Sequence, residues 1–217
     1  MRAAGASIEG HSVARIRPFR SDDVDGLYDV CVKTADVGAD ATGMLEDDAL
    51  WGDLFAVPYA RRDPGLCWVV ESDDGRVIGY VVATDDTDAF AAWFHDEWWP
   101  SRRDRYRRSG APEPTAQDRF IAYGDRQAPG DDPIAREYPA HLHIDLLPET
   151  QGQGLGRRLI DTLLAELARR GVPALHLSMN AANAPAGAFY ERLGFTQLAS
   201  GDGSTTYGIT VPAASPR

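Results

Sequence analysis

A glycine-rich segment lies where an apolar strand pattern ends and a helical pattern begins. Residues 141–156 read H-L-H-I-D-L-L-P-E-T-Q-G-Q-G-L-G. Gly152, Gly154 and Gly156 leave the main chain unshielded, so successive amide N–H groups can converge on an anion. A helix that begins near Leu155 adds unpaired N–H groups and the positive end of its dipole. The segment therefore predicts a phosphate-binding loop built from main chain.

Two common phosphate-binding loops are excluded by the residues that follow these glycines. A P-loop ends in Gly-Lys-Ser or Gly-Lys-Thr, but Arg157 follows Gly156, and Lys33 is the only lysine in the sequence. A dinucleotide-binding loop requires G-x-G-x-x-G, and its third glycine position falls on Arg157 or Leu159. The pattern that remains is Q-x-x-G-x-G, which begins at Gln151.

The residues after the loop predict a helix, a strand and a second helix. Residues 155–170 carry leucine and isoleucine at helical spacing, and Gly171 is a suitable C-terminal stop. Residues 174–180 alternate between apolar and polar side chains, as a strand does. Asn183 is a suitable N-cap for a helix over 183–195, N-A-P-A-G-A-F-Y-E-R-L-G-F.

This succession resembles the GNAT superfamily of N-acetyltransferases, whose coenzyme A pyrophosphate loop has the Q-x-x-G-x-G pattern. The resemblance implies an α/β (α+β) fold, with a mixed, mostly antiparallel twisted sheet of about six or seven strands flanked by helices. It implies that the main chain of Leu146 and Leu147 bonds the pantetheine and acetyl oxygen of acetyl-CoA, where the strand splays from its neighbour. It also implies that Tyr190, which precedes L-G-F, protonates the departing thiolate. The cofactor-binding residues implied are Leu146, Leu147, Gln151, Gly152, Gln153, Gly154, Leu155, Gly156, Arg157, Asn183 and Tyr190.

Three ionisable side chains share one face of the predicted cofactor strand. His141, His143 and Asp145 alternate with apolar residues and therefore point to the same side. Such a row on a buried strand indicates either a functional cavity or a hydrogen-bonded cluster that braces the insertion. Asp145 is nearest to the predicted acetyl end, so we predict that Asp145 and Tyr190 are the catalytic residues.

Two functions remain open at this point. The first is an N-acetyltransferase that moves acetyl from acetyl-CoA to an amine carried by a small molecule or a peptide. The second is a catalytically inactive protein that binds acetyl-CoA and acts as a sensing or interaction module. No metal site is expected, and nothing in the sequence indicates an oligomeric state.

The residues before the loop predict strands and helices in the order that the resemblance implies. V-A-R-I-R-P at 13–18 predicts a strand, and Ser21 is placed to cap the helix that follows. Residues 46–56 predict another helix. Strands are predicted over 66–71 and 77–84, on either side of the turn sequence S-D-D-G-R.

A long helical insertion, residues 85–140, separates this half from the cofactor strand. Its segment D-A-F-A-A-W-F-H-D-E-W-W predicts a helix that ends at Pro100. A charged run and a loop rich in Pro, Gly and Asp follow. The aromatic side chains either pack on the sheet as extra core or cover the acetyl group as a lid, and both roles are compatible. They are Phe90, Trp93, Phe94, Trp98 and Trp99.

The insertion also narrows the resemblance. Its W-W-P resembles one group of proteins when it is taken together with four segments elsewhere, T-A-D-V-G-A-D-A-T-G, P-Y, Y-P-A-H-L-H-I-D-L-L-P and Q-G-Q-G-L-G-R-R-L-I. These are bacterial acetyltransferase-like proteins similar to the C-terminal domain of the O-GlcNAc hydrolase. The resemblance predicts one domain over 13–211, with residues 1–12 disordered and 212–217 a tail.

Composition excludes several classes of protein. The formal net charge of −11 argues against general nucleic-acid binding. No apolar run approaches the ~18 residues of a membrane span, and the N-terminus lacks the apolar segment of a signal peptide. Cys31 and Cys67 are too few for a disulfide framework and are expected to be reduced and buried. We therefore expect a cytoplasmic protein.

Overall fold

The computed structural model, which describes residues 14–130 and 132–213, contains one mixed sheet of seven strands. The strands are β1 (Arg15–Pro18), β2 (Cys67–Glu71), β3 (Val77–Thr84), β4 (Ala140–Leu146), β5 (Ala174–Asn180), β6 (Thr196–Gly201) and β7 (Ser204–Thr210). Their order across the sheet is β1-β2-β3-β4-β5-β7-β6. Every neighbouring pair is antiparallel except β4 and β5. The predicted mixed, mostly antiparallel sheet is confirmed.

Some of the sequence predictions fall outside the described residues. They are the disordered segment 1–12, the first residue of the strand predicted over 13–18, and residues 214–217 of the tail. Of the rest, Arg15–Pro18 are observed as β1, which pairs with β2 at the edge of the sheet, and Ala14 lies just before the strand.

The parallel strands β4 and β5 are paired over a short distance. Ala140 pairs with Leu175 and His141 with His176, and no later pair of these strands occurs in the described chain. Beyond that point β4 continues alongside β3 as far as Leu146, whereas β5 continues alongside β7. The sheet therefore opens into a wedge between β4 and β5, as the resemblance implied.

Helices cover both faces of the sheet. They are α1 (Val24–Val32), α2 (Ala49–Phe55), α3 (Val57–Arg62), α4 (Thr87–Trp93), α5 (Ala116–Arg126), α6 (Pro133–Glu137), α7 (Leu155–Arg170) and α8 (Ala184–Arg192). The helix predicted over 46–56 is shorter than expected and is followed directly by α3. The unpredicted α3 has Pro58 in its first turn, a position that a helix tolerates. No helix in residues 14–130 or 132–213 has the length and apolar character needed to cross a membrane.

The helices that follow the glycine-rich loop have the ends that the sequence predicts. Gly171 ends α7 in a left-handed conformation with φ +75°. The side-chain oxygen of Asn183 caps α8 by accepting from the Ala186 N–H at 3.2 Å. The buried apolar face of α7 consists of Leu155, Leu159, Ile160, Leu163 and Leu167.

Helices α7 and α3 lie on opposite faces of the sheet. On one face, a Cβ built on Gly156 of α7 would lie 3.2 Å from Leu146 Cδ1. On the other, Tyr59 of α3 contacts the side chains of His141 and His143. Since side chains alternate along β4, these contacts mark its two faces. The two histidines and Asp145 therefore lie on the α3 face.

The aromatic part of the insertion is packed core. Helix α4 continues into a π turn over Phe94–Trp98 and a 3-10 turn over Trp99–Ser101, so the predicted helix is observed in three pieces. Most of its aromatic side chains are buried, namely Phe90, Phe94, Trp98 and Trp99. They contribute apolar area to the same core as the sheet.

A buried carboxylate ties the insertion to the first helices. Asp53 of α2 is fully buried and accepts hydrogen bonds from the hydroxyls of Tyr28 in α1 and Tyr106 in the insertion. The Trp98 indole N–H donates to the Asp53 main-chain oxygen at 2.8 Å. These bonds satisfy polar groups that would otherwise be costly to bury, and they fix the position of the insertion.

Candidate functional site

A cleft of about 740 Å³ opens where β4 and β5 separate. Its walls are the end of β4, the glycine-rich loop, α8 and the connection between α1 and α2. The predicted cofactor residues that line it are Leu146, Gln151, Gly152, Gly154, Leu155, Gly156, Arg157, Asn183 and Tyr190. Two others, Leu147 and Gln153, lie outside this lining.

The glycine-rich loop presents unpaired amides to this cleft. Gly152 and Gly154 have left-handed conformations, with φ +75° and +69°, which glycine adopts without strain. At the start of α7, the Arg158 N–H donates to the Gly154 oxygen at 3.2 Å. Among the described residues, no acceptor is found for the main-chain N–H groups of 152–157. These amides are free to bind an anion at the positive end of α7.

Gly156 is needed because of its neighbours rather than its backbone conformation. A Cβ at this position would lie 3.0 Å from Phe189 Cζ and 3.2 Å from Leu146 Cδ1. These distances are shorter than ordinary van der Waals contact, so any side chain would displace one of the two. The glycine allows α7 to approach both α8 and β4, and this approach sets the width of the cleft.

The hydrogen bonds of β4 decide which main-chain groups face the wedge. The Leu147 N–H donates to the Ile78 oxygen at 3.0 Å, and the Leu147 oxygen accepts from the N–H and hydroxyl of Thr150. Main-chain bonds alternate along an antiparallel pair, so Ile144 and Leu146 direct their N–H and C=O groups away from β3. Because β5 is absent there, these two residues offer main-chain groups to a ligand, and Leu147 does not.

Ile144 was not among the residues that the sequence predicted for the cofactor. Its side chain lines the cleft together with that of Leu146. The period-two pattern of the strand could have identified it, because residues two apart direct their main-chain groups to the same side. By that alternation, the main chain of Leu146 faces the same side as that of Ile144, and the main chain of Leu147 faces β3.

The remaining predicted cofactor residues around the loop have partners within the protein. The Arg157 guanidinium donates to the Arg192 oxygen at the end of α8 at 3.2 Å. The Gln153 amide donates to the Glu149 oxygen at 2.9 Å. Asn183 caps α8 with its oxygen and directs its amide nitrogen toward the connection between α1 and α2, near Gly38. These contacts fix the shape of the loop and the cleft wall.

Tyr190 lines the cleft with an unpartnered hydroxyl. Its side chain is only 7% exposed and packs against the rings of Phe189, Phe195 and Tyr207. Buried tyrosines usually bond through the hydroxyl, but this one bonds to no group among residues 14–130 and 132–213, and it is not sealed from solvent. Burial and the charge of Asp145 raise the pKa of Tyr190. The phenol is therefore protonated at neutral pH and can donate.

Asp145 is held from the neighbouring strand. Its Oδ2 accepts a hydrogen bond from the Tyr80 hydroxyl at 2.5 Å, and its side chain remains partly exposed. Burial raises the pKa of Asp145, and the bond from Tyr80 lowers it by a smaller amount. Tyr190 lines the cleft, whereas Asp145 lies outside the lining, on β4 between the cleft residues Ile144 and Leu146.

His141 and His143 lie on either side of the Tyr59 hydroxyl. The Tyr59 oxygen is 2.8 Å from His141 Nε2 and 3.1 Å from His143 Nε2. His141 also contacts Thr87 Oγ1 through Nδ1 at 2.8 Å, so both of its nitrogens are engaged. Burial lowers the pKa of both histidines, to about 4 for His143. His141 therefore braces the insertion, whereas His143 keeps one nitrogen uncommitted.

The described residues of the insertion, 85–130 and 132–140, contribute no side chain to the cleft lining. Phe90 stacks on Tyr59 with ring centroids 4.2 Å apart, which places α4 against α3 rather than over the wedge. In the part of the chain that the structure describes, no cluster of His, Cys, Asp and Glu could hold a metal ion.

Comparisons with known proteins agree with the fold. The crystal structure of SsHAT superimposes with a TM-score of 0.86 at 40% identity, covering 92% of this chain and 98% of that one. A phosphinothricin acetyltransferase from Sinorhizobium meliloti, solved in complex with acetyl-CoA, shares the fold with a TM-score of 0.54 at 15% identity, covering 91% of this chain and 88% of that one.

Curated relatives match over shorter segments. The ribosomal protein bS18-alanine N-acetyltransferase of Salmonella typhimurium is 39% identical over 83 residues, which are 38% of this chain and 52% of that protein. A mycothiol acetyltransferase of Catenulispora acidiphila is 41% identical over 73 residues, or 34% of this chain and 22% of that protein. This chain thus spans about half or less of the length of these relatives.

The model of the acetyltransferase (GNAT) family matches residues 40–195. The chain therefore belongs to the GNAT family of acetyltransferases.

Proposed function

We propose that this protein transfers acetyl from acetyl-CoA to an amine. The observation that carries the proposal is the Tyr190 hydroxyl, which is protonated and open to the cleft and has no hydrogen-bond partner among the described residues. It lies beside a loop whose amides have no acceptor in the same part of the chain. An acid in that position suits a reaction in which a thiolate leaves. Family membership supports the same reaction class, and the names of both curated relatives describe acetyl transfer.

The proposed cofactor site follows the cleft. The amides of residues 152–157 would bind the pyrophosphate at the start of α7, and Arg157 and Gln151 border the same loop. The pantetheine would bond to the main chain of Leu146 and Ile144, where β5 is absent. Acetyl-CoA supplies the activated acetyl group, and the protein orients it.

The proposed catalytic residues are Tyr190 and Asp145. Tyr190 would give its proton to the coenzyme A sulfur as the C–S bond breaks. Asp145 lies on the opposite face of β4 from α7, where an acceptor can approach without passing the cofactor loop. Its negative charge would attract the cationic form of an amine, carried by a small molecule or a peptide. The formal charge of −11 favours such an acceptor over a nucleic acid.

The finer affiliation rests on the sequence segments alone. We place the chain with the bacterial acetyltransferase-like proteins similar to the C-terminal domain of the O-GlcNAc hydrolase. The segments that support this are the W-W-P of the insertion, the Y-P-A-H-L-H-I-D-L-L-P that contains β4, and the T-A-D-V-G-A-D-A-T-G between α1 and α2.

One observation favours a second candidate, a protein that binds acetyl-CoA without transferring it. The Asp145 carboxylate is already hydrogen-bonded by Tyr80, so it is less free to act on an acceptor. In that case the loop would bind the cofactor as proposed, and Tyr190 would serve only as a wall of the cleft.

The release of free thiol from acetyl-CoA, measured over a broad panel of amines and peptides, tests the two candidates. Tyr190→Phe removes one hydroxyl and should lower turnover by about 100-fold or more while acetyl-CoA still binds. Tyr207→Phe is the matched control, because Tyr207 contacts the Tyr190 ring but lies outside the cleft lining. If no amine leads to the release of free thiol while acetyl-CoA binds normally, the second candidate, a protein that binds acetyl-CoA without transferring it, is supported.

A further inference from the structure

The Tyr59 hydroxyl lies between two histidine nitrogens and has one proton to give. Its oxygen is 2.8 Å from His141 Nε2 and 3.1 Å from His143 Nε2. One contact needs the tyrosine proton, and the other needs a proton on the histidine nitrogen. These two distances allow either direction, so the direction must be decided by the other partners of the histidines.

Thr87 decides the direction. Its Oγ1 is 2.7 Å from the Pro139 oxygen and 2.8 Å from His141 Nδ1. A carbonyl oxygen only accepts, so the Thr87 proton goes to Pro139, and His141 Nδ1 must supply the proton for its contact with Thr87. The opposite direction would leave two oxygens 2.7 Å apart with no hydrogen between them, which is repulsive.

The proton on His141 Nδ1 determines where the protons of Tyr59 and His143 lie. Burial and the nearby His176 and His143 keep the pKa of His141 well below its usual value, so the ring is neutral and its Nε2 accepts from Tyr59. The Tyr59 oxygen then accepts from the Nε2–H of His143. His143 is also neutral at pH 7, because burial lowers its pKa to about 4. Its Nδ1 therefore carries a lone pair and no proton.

This nitrogen is available to a ligand. Among the described residues His143 Nδ1 has no hydrogen-bond partner, and it is not one of the atoms sealed from solvent. The ring is partly exposed, with Phe55 at 5.6 Å between ring centroids and the exposed Tyr123 at 5.3 Å from Phe55. These rings form an apolar wall beside His143, and Asp145 lies two residues further along the same face of β4.

We infer that His143 is a catalytic residue that accepts the proton of the acceptor amine at Nδ1, and that Tyr59 is the positioning residue that holds this tautomer. The inference rests on the proposed acetyl transfer. The proposed function has Tyr190 as the acid, and this inference adds a base on the acceptor side. Attraction of the amine and acceptance of its proton are then assigned to different residues. Asp145 attracts the amine, and His143 takes its proton.

The proposed acetyl transfer moves two protons, one from the amine nitrogen to His143 and one from Tyr190 to the coenzyme A sulfur. Before the transfer, the cationic amine gives one proton to solvent. Its lone pair then forms a bond to the thioester carbon, and the C=O electron pair moves to oxygen. One proton of the attacking nitrogen passes to His143 Nδ1; this nitrogen is more acidic than a free ammonium because it is bonded to the carbonyl carbon. The C=O bond then re-forms, the C–S bond breaks, and the sulfur takes the Tyr190 proton. Proton exchange with solvent returns both side chains to their starting states.

Nuclear magnetic resonance of the full chain with isotope-labelled histidine tests the tautomer without requiring turnover. The His143 signals are assigned by their loss in His143→Gln. We expect a protonated Nε2 and an unprotonated Nδ1 in the wild type, and a mixture of tautomers in Tyr59→Phe. A proton on Nδ1 in the wild type overturns the inference, whether or not the protein is an enzyme.

Thiol release by the variants tests the role. His143→Ala should lower turnover by about 100-fold or more, should bind acetyl-CoA normally, and should recover part of its rate when imidazole is added. His95→Ala, at an exposed histidine of the insertion, is the matched control and should behave like the wild type. Wild-type rates in His143→Ala overturn this inference and leave the proposed function standing. Loss of acetyl-CoA binding without rescue also overturns it, and absence of turnover by the wild type with every amine overturns both proposals.

Discussion

Tyr80 and Asp145 are directly opposite each other on β3 and β4, and the Tyr80 hydroxyl donates to Asp145 Oδ2. The carboxylate is therefore held by a neutral donor on the neighbouring strand. A neutral donor fixes the position of the carboxylate and leaves its charge uncompensated. Burial and, to a smaller extent, that charge raise the pKa of Tyr190. Burial also raises the pKa of Asp145 itself.

The raised pKa of Asp145 makes a prediction about stability. In the folded protein this carboxyl holds its proton to a higher pH than in the unfolded chain, so stability falls as pH rises from the ordinary pKa of aspartate through the raised one. Asp145→Asn cannot titrate. The free energy of unfolding of the variant, relative to the wild type, should therefore increase over that interval. Urea unfolding from about pH 3 to about pH 8 measures this difference, with the exposed Asp161→Asn as a control. A difference that does not change with pH would contradict the prediction.

Gly154→Val should abolish the stabilisation of the protein by acetyl-CoA. Gly171, at the other end of α7, is a matched control because it also has positive φ and open space where a Cβ would lie. Valine at either site is strained by roughly 1–2 kcal/mol. Only valine at 154 would project where the loop amides converge. Thermal unfolding with and without acetyl-CoA should show a lost shift for Gly154→Val and a retained one for Gly171→Val. If acetyl-CoA raised the unfolding temperature of both variants equally, the glycine-rich loop would not be the anion-binding site.

Gly156→Ala should weaken acetyl-CoA binding through Phe189. The added methyl would lie 3.0 Å from Phe189 Cζ, so the ring must move, and the cleft lies beside it. Phe189→Leu removes the crowded atom, and the double variant should recover part of the lost affinity. Calorimetric titration of the two single variants and the double variant measures this coupling. Additive losses would show that the two residues act separately.

Trp98→Ala should destabilise the protein and leave the affinity for acetyl-CoA unchanged. Trp98 is buried, its indole bonds to Asp53, and its ring stacks on Trp93. Truncation of a buried tryptophan costs about 3–5 kcal/mol. Urea unfolding and cofactor titration of the same variant separate the two effects. Normal stability with weakened binding would instead indicate a lid over the cleft.

The half of the fold around the glycine-rich loop could be predicted because its local signals agree with one another. The apolar spacing of residues 155–170, the stop at Gly171 and the cap at Asn183 each indicate the same boundaries. They depend on neighbours a few residues away, which a sequence displays directly.

The insertion was less predictable because its position depends on distant contacts. Helix α5 lies in a stretch that was expected to be charged run and loop. Its start has a local signal, a capping box between Thr115 and Asp118, which the surrounding Pro and Gly residues obscured. The contact of Tyr59 with His143 joins residues 84 positions apart, and nothing local indicates it.

The short pairing of β4 with β5 has a mechanical consequence. The sheet consists of two parts, β1 to β4 and β5 to β7, which are joined, among the described residues, only by the pairing of Ala140 and His141 with β5. Amide exchange along β4 should therefore alternate, fast at Ile144 and Leu146 and slow at their neighbours, which bond to β3. A ligand that bonds to these two amides takes the place of the hydrogen bonds that β5 does not supply. Amide exchange at Ile144 and Leu146 should then become slow as well.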